Sequence, residues 1–241
     1  MAGTEGPRPV LSLVMADAGS AFYGDRVDRE GGPALVLGAG DGRIAWELAR
    51  RGHQVLAADP SEVLLRAAEE RRAQEPAEVA ARLSVVRADV RSLRLDERFK
   101  VVIAPRNALG LMTTRGDLEA ALATAALHLA DGGTFLLDLV NPSEHRSPPA
   151  PDDRAEEPPL WYRPVFVPHL RERRRARPGE GDAAAHEGLR RLKVRQFSAE
   201  ELDVALKAAG FQALERFGDF DGRPFAPEDP LQLVVAQRAP P

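Results

Sequence analysis

The stretch Gly38-Ala39-Gly40-Asp41-Gly42 sits between an apolar run and a helical pattern, and its residues are of types that could do chemistry. Glycines at alternate positions let a backbone approach a ligand with no Cβ in the way. A turn of this kind, placed after a strand and opening a helix, presents unpaired N–H groups at the positive end of that helix. Further along, Asp59 ends the next apolar run, where a carboxylate can accept both hydroxyls of a ribose, and Asp89 ends the run after that. A charge-assisted contact of this type is worth roughly 1.5–3 kcal/mol. Taken singly, each feature has a plain structural explanation: an ordinary strand-to-helix turn, a helix N-cap at Asp59, a surface acid at Asp89. Their joint arrival at successive strand ends favours a nucleotide-like ligand.

Spacing and charge then narrow the ligand. Dinucleotide-binding folds use G-x-G-x-x-G, whereas the glycines here are 38, 40 and 42, giving G-x-G-x-G. Asp41 adds a negative charge where a pyrophosphate would have to lie. The pattern therefore disfavours a nicotinamide oxidoreductase. It suits S-adenosylmethionine, which carries an ammonium and a sulfonium and no phosphate.

These residues need elements to hold them. Ala21 to Glu30 reads as a short helix. Ala34-Leu35-Val36-Leu37 reads as a buried parallel strand, and Ile44 to Arg51 as a helix stopped by Gly52. Gln54 to Ala58 is a second strand ending at Asp59, and Ser61 can cap a helix through Leu64, Leu65 and Ala68. Leu83-Ser84-Val85-Val86 and Val101-Val102-Ile103-Ala104 are the third and fourth strands. A helix from about Asp117 to Leu129 leads through the turn Asp131-Gly132-Gly133 into a fifth strand, Thr134 to Leu139. This alternation predicts an α/β, Rossmann-like, doubly wound and mainly parallel sheet of about seven strands. The last two strands, Phe211 to Phe217 and Leu231 to Gln237, form an antiparallel C-terminal hairpin joined by 218–230. Ser198-Ala199-Glu200-Glu201 starts the helix before them, a capping box in kind. Between, 141–197 reads as a β-rich insertion after the fifth strand within a single domain, 1–241. Its strands are Trp161 to Val167 and Leu189 to Phe197.

Bulk properties exclude several classes. The 241 residues are 44% hydrophobic, enough for a core, and the net charge is only -4 from 33 basic and 37 acidic side chains. That balance does not describe a general nucleic-acid binder. The basic run Arg171 to Arg177 lacks interleaved aromatics for base stacking and reads as a solvated hairpin tip. With no cysteine in the chain, disulfides, zinc–thiolate sites, Fe–S clusters and cysteine nucleophiles are excluded. His128, His145, His169 and His186 share no metal-ligand spacing, so no metal is expected. No apolar run approaches a bilayer span and no signal peptide is visible, so the expectation is a cytoplasmic protein without membrane contact.

At the residues quoted above, the chain resembles the class I S-adenosylmethionine-dependent methyltransferases. LVLGAGDGRIAWELARRGHQVLAADPS looks like their first two motifs, which implies cofactor binding by Gly38, Ala39, Gly40, Asp41, Gly42, Asp59, Pro60 and Ser61. ADVRSL, with Asp89 and Val90, looks like the motif that meets the adenine amino group. FKVVIAPRNALGLM matches the fourth-strand motif beside the reactive methyl, implicating Ala104 and Pro105. LADGGTFLLDLVNP matches the fifth strand. The closing segments FSAEELDVALKAAGF and GDFDGRPF are similar to a bacterial branch that includes small-molecule N-methyltransferases. A tyrosine-bearing helix covers the cofactor in relatives; Phe22 and Tyr23 are the candidates here.

For catalysis the resemblance leaves Arg106, Asn107 and Tyr23. Arg106 is a candidate anchor for an acidic group. Asn107 either caps the next helix, or orients the acceptor or closes over the methionine part of the cofactor. By family analogy the insertion 141–197 roofs the acceptor site, and a homodimer is an expectation of the same analogy. Ala104-Pro105-Arg106-Asn107 lacks the stacking aromatic of exocyclic-amine nucleobase enzymes. The acidic metal ligand of catechol-type enzymes and the double-glutamate loop of protein arginine enzymes are also missing. What remains is N- or O-methylation of a small molecule. The alternative is a methyltransferase-fold scaffold or regulatory binding protein with weak chemistry, suggested by the short segment before the first strand.

Overall fold

The computed structural model describes residues 17–142, 161–166 and 189–239. In chain order the elements are α1 (Asp17–Glu30), β1 (Ala34–Leu37), α2 (Arg43–Arg50), β2 (Val55–Asp59), α3 (Glu62–Arg72), α4 (Ala77–Ala80), β3 (Leu83–Arg87) and β4 (Phe99–Ala104). A 3-10 turn over Ala108–Leu111 follows, then α5 (Arg115–His128), β5 (Leu129–Val140), β6 (Trp161–Phe166), β7 (Leu189–Val194), α6 (Ala199–Ala208), β8 (Phe211–Phe217) and β9 (Leu231–Arg238).

Seven strands form one sheet in the order β3-β2-β1-β4-β5-β9-β8. β1 to β5 run parallel, and β9 runs antiparallel to both β5 and β8. The apolar runs dictate this arrangement. β1 is buried along its whole length and feeds both faces: Leu35 and Leu37 pack with Leu118, Leu122 and Phe135, while Ala34 and Val36 pack with Val27, Trp46 and Leu48. A strand apolar on both sides must lie between helix layers. Here α1 and α2 cover one face, and α5 and α6 the other. The chain winds outward from β1 to β2 and β3, then returns to place β4 on the other side of β1. That reversal opens a crevice at the carboxyl ends of β1 and β4, the place where open α/β sheets hold ligands.

Three local features differ from the sequence reading. α1 begins at Asp17 rather than Ala21, and α4 is a single turn too short to leave a periodic signature. The Asp131-Gly132-Gly133 turn is absorbed into β5, whose pairing with β4 shifts register between Phe99 and Val101. The two predicted segments of the insertion pair antiparallel as β6 and β7, Trp161 opposite Val194 through Phe166 opposite Leu189. Residues 195–197 continue beyond β7 outside the ladder. The basic run Arg171 to Arg177 and the stretch 143–160 lie outside the described residues. No helix among the described residues is long and apolar enough to cross a membrane.

Candidate functional site

The glycine turn is fixed from below by the neighbouring strand: the N–H groups of Gly38 and Ala39 both donate to Ala58 O, at 2.8 and 3.0 Å. Gly38 and Gly40 have φ of +72° and +58°, a backbone conformation that glycine enters without the Cβ penalty. A Cβ at Gly38 would lie 2.8 Å from the Cβ of Ala108, so the glycine turn and the β4 tip are in contact there. At Gly40 the same test meets only the Arg106 guanidinium, at 3.8 Å, leaving the space before that residue open.

Asp59 closes β2 with a buried carboxylate that ties two loops together. Its Oδ2 accepts the Gly40 N–H and its Oδ1 the Ser61 N–H, each at 2.8 Å. A carboxylate has about four acceptor sites, so each oxygen retains capacity for one ribose hydroxyl. Pro60 is exposed beside it, and Ser61 caps α3 by accepting the Leu64 N–H at 3.4 Å. Along the sheet toward β3, Asp89 sits where the sequence places it, and Val90 behind it is buried. Arg91 holds both oxygens of Asp89, with its Nε 2.9 Å from Oδ1 and Nη2 2.5 Å from Oδ2, and reaches Asp117 with Nη1 at 2.6 Å. The Arg91 guanidinium keeps both carboxyls below their usual range.

Asp41 is more balanced in charge than the sequence suggests. Arg106 Nη1 lies 3.3 Å from its Oδ1, while Arg71 and Arg43 approach its Oδ2 to 3.4 and 4.0 Å. The charge argument against a pyrophosphate therefore weakens, and the glycine spacing carries more of it. The same pair offers a carboxylate and a guanidinium side by side, a matched set for a zwitterionic amino-acid group.

The β4 tip is the most constrained part of the site. Ala104 and Pro105 are buried, and Arg106 and Asn107 follow with φ of 58° and 59°. Two consecutive left-handed non-glycine residues cost about 1–2 kcal/mol each and persist only where the surroundings impose them. Asp138, in the middle of apolar β5, imposes them. Its Oδ1 accepts the Arg106 N–H at 2.5 Å and its Oδ2 the Asn107 N–H at 2.9 Å. Tyr23 of α1 completes the set, its hydroxyl donating to Asp138 Oδ1 at 2.5 Å. Burial pushes the Asp138 carboxyl above its ordinary value, with the Tyr23 hydroxyl and the two N–H groups pulling the other way. Burial, reinforced by the Asp138 charge, likewise raises the Tyr23 hydroxyl.

The three residues put forward for catalysis therefore converge on one loop, in roles the sequence could not separate. Tyr23 is 1% exposed and directs its hydroxyl to Asp138. The side chain of Asn107 does not cap the following turn; its Oδ1 accepts the Val140 N–H at 3.0 Å. Arg106 is half-exposed and leans across to Asp41. Sequence reading passed over Asp138. Its only signal is a lone acid inside the run Thr134 to Leu139, and a charge buried there must find donors. Beyond the tip, the Arg195 N–H donates to Gly110 O at 2.7 Å, so the chain leaving β7 returns onto the turn after Asn107. Among the described residues, no group of three or more His, Asp or Glu side chains could hold a metal ion.

Comparison with known proteins agrees with this fold. Residues 34–133, from β1 to the start of β5, match a family model described as a methyltransferase domain. No curated protein matches the chain in sequence. Among solved structures, the CcbJ methyltransferase from Streptomyces caelestis is 22% identical with a TM-score of 0.72, over 100% of this chain and 94% of that one. The glycopeptide N-methyltransferase MtfA, solved in complex with S-adenosyl-L-methionine, is 24% identical with a TM-score of 0.66, over 93% and 94% of the two chains. CalS10, an amino pentose methyltransferase from Micromonospora echinaspora, is 23% identical with a TM-score of 0.59, over 92% and 90%. The sheet order, the glycine turn and the matched segment lead to one conclusion: residues 34–133 match a methyltransferase domain, and the chain has the fold of the class I S-adenosylmethionine-dependent methyltransferases.

Proposed function

We propose that this protein transfers a methyl group from S-adenosylmethionine to a nitrogen or oxygen of a small molecule. The observation that carries the reading is Asp59: a buried carboxylate at the tip of β2, already oriented by the Gly40 and Ser61 N–H groups and still able to accept two hydroxyls. Asp89 at the next tip supplies an acceptor for the adenine amino group, a contact that Arg91 must share. With ribose at β2 and adenine toward β3, the amino-acid end extends the other way, over β1 toward β4. There it meets the open face of Gly40 and the Asp41–Arg106 pair, whose opposite charges suit its ammonium and carboxylate. Gly38, Ala39, Gly42, Pro60, Ser61 and Val90 shape the walls, and Ala104 and Pro105 end the cleft at β4.

The cofactor supplies an activated methyl on a sulfonium, which a nucleophile takes in a single displacement. Because the leaving group is good, the protein contributes position and exclusion of water rather than a strong base. Arg106 and Asn107 form the wall nearest the reacting end, with Tyr23 behind them. The β6–β7 segment returns to this wall through Arg195 and Gly110, which supports the insertion 141–197 as a roof over the acceptor within one domain. The names of the MtfA and CalS10 neighbours, a glycopeptide N-methyltransferase and an amino pentose methyltransferase, favour an amine acceptor.

Calorimetric titration of the full chain with S-adenosylmethionine and with NAD tests the cofactor. Binding of the first alone is expected; a preference for NAD overturns the reading. A methyl-transfer screen on amines and hydroxylated metabolites then tests the activity, and tight cofactor binding with no turnover on any of them would favour a binding scaffold.

A further inference from the structure

Asp138 lies in the fifth-strand segment but was assigned no role from sequence, yet the β4 tip is organised around it. It lies in β5, one strand beyond the crevice, and is 1% exposed. Its carboxylate accepts from three donors: the Tyr23 hydroxyl from α1, and the consecutive N–H groups of Arg106 and Asn107. Consecutive N–H groups in a left-handed turn form a concave anion site, and here the chain's own carboxylate fills it. The consequence is directional. With both N–H groups turned inward, the tip backbone is fixed against β1, where a Cβ at Gly38 would collide with Ala108. The Arg106 side chain is thrown outward over Gly40 to Asp41. Asn107 is locked by the Val140 N–H, and its amide packs so closely on Gly110 that a Cβ there would fall 2.3 Å from Nδ2.

We propose that Asp138, assisted by Tyr23, is a positioning residue for methyl transfer: it holds the Arg106–Asn107 turn in the conformation that grips the amino-acid end of the cofactor. This rests on the cofactor reading above, and it makes a distinction that reading does not. Asp59 and Asp89 serve the adenosine end, on the far side of β1, and do not touch Asp138 or its partners. Disturbing Asp138 therefore weakens only the contacts made beyond the sulfur.

The test compares two ligands that share the nucleoside and the sulfur atom and differ in the amino-acid chain and in the sulfonium charge that goes with it. S-Adenosylmethionine and 5′-methylthioadenosine, which keeps the nucleoside and sulfur but lacks the amino-acid chain, are titrated into the full-length wild type, Asp138→Asn and Tyr23→Phe. In Asp138→Asn the amide can accept from only one of the two N–H groups and opposes the other with its own NH2. Affinity for S-adenosylmethionine is expected to fall about 10- to 100-fold, with 5′-methylthioadenosine little changed. Tyr23→Phe removes only the hydroxyl from a ring that stays buried. It is expected to move the ratio of the two affinities in the same direction by about 3- to 10-fold, so the test survives if Asp138→Asn does not fold. A general loss of stability lowers both affinities together. Parallel losses, or no change in folded variants, would overturn the positioning role and leave the cofactor reading intact. Failure of folded wild type to bind S-adenosylmethionine would overturn the cofactor reading itself, and this inference with it.

Discussion

Replacing Asp59 by alanine removes two kinds of interaction at once, and the structure allows each to be sized. The first is internal. The Gly40 and Ser61 N–H groups, each 2.8 Å from a carboxylate oxygen, lose their acceptor. An orphaned buried donor costs about 1–3 kcal/mol, but the cavity left by the side chain opens onto the crevice and admits water, so the lower end applies to each. A stability loss of about 2 kcal/mol follows, or roughly 4–8 °C in Tm for a chain of this size. The second is the contact with the ribose. Two charge-assisted hydrogen bonds of roughly 1.5–3 kcal/mol each are lost, partly replaced by water. Retaining a single such bond as the minimum loss gives at least a ~10-fold weaker Kd for S-adenosylmethionine. Calorimetric titration well below the variant's Tm separates the two effects. Asp59→Asn, which keeps one acceptor oxygen, should fall between the wild type and alanine. A folded Asp59→Ala protein with wild-type affinity would refute the assignment of this carboxylate to the ligand.

Two further perturbations probe the frame of the site. Gly38→Ala forces a Cβ to 2.8 Å from Ala108 at a φ of +72°; thermal unfolding should show a loss of about 1–3 kcal/mol, and wild-type stability would mean that the β1 turn and the β4 tip are not packed as described. Arg91 holds the Asp89 and Asp117 carboxyls below their ordinary value of 3.8. A lowered folded-state pKa contributes stability that is present above about pH 4 and lost as pH falls through the lowered values. Arg91→Ala should therefore raise both pKa values toward the ordinary range by NMR titration and move acid unfolding to higher pH; unchanged titration curves would exclude the bridge.

The contrast between Asp59 and Asp138 shows what the sequence could carry. Asp59 follows the apolar run Gln54 to Ala58 in a spacing that already implies a strand end facing a glycine turn, so local pattern was sufficient to find it. Asp138 has its partners 115 and some 30 residues away, joined only once α1 and β4 pack against β5. Nothing local announces that Arg106 adopts left-handed backbone, although asparagine, as at 107, enters that region more readily than most residues. The β5 start was misjudged for a related reason: Asp131-Gly132-Gly133 has the composition of a turn, but pairing with β4 carries the strand through it as a register shift. Asp41 misled in charge because Arg71 reaches it from α3 and Arg106 from the turn after β4. The mainly parallel, doubly wound sheet, by contrast, followed from the alternation of apolar runs and helical patterns, which short crossovers leave little freedom to rearrange.

A crystal structure of the full chain soaked with S-adenosylmethionine tests the central claim most directly. It should show the ribose hydroxyls within hydrogen-bonding distance of both Asp59 oxygens, the adenine beside Asp89 and Val90, and the amino-acid end between Gly40 and the Arg106–Asn107 turn. A cofactor bound elsewhere, or bound here with its ribose away from Asp59, would contradict the account.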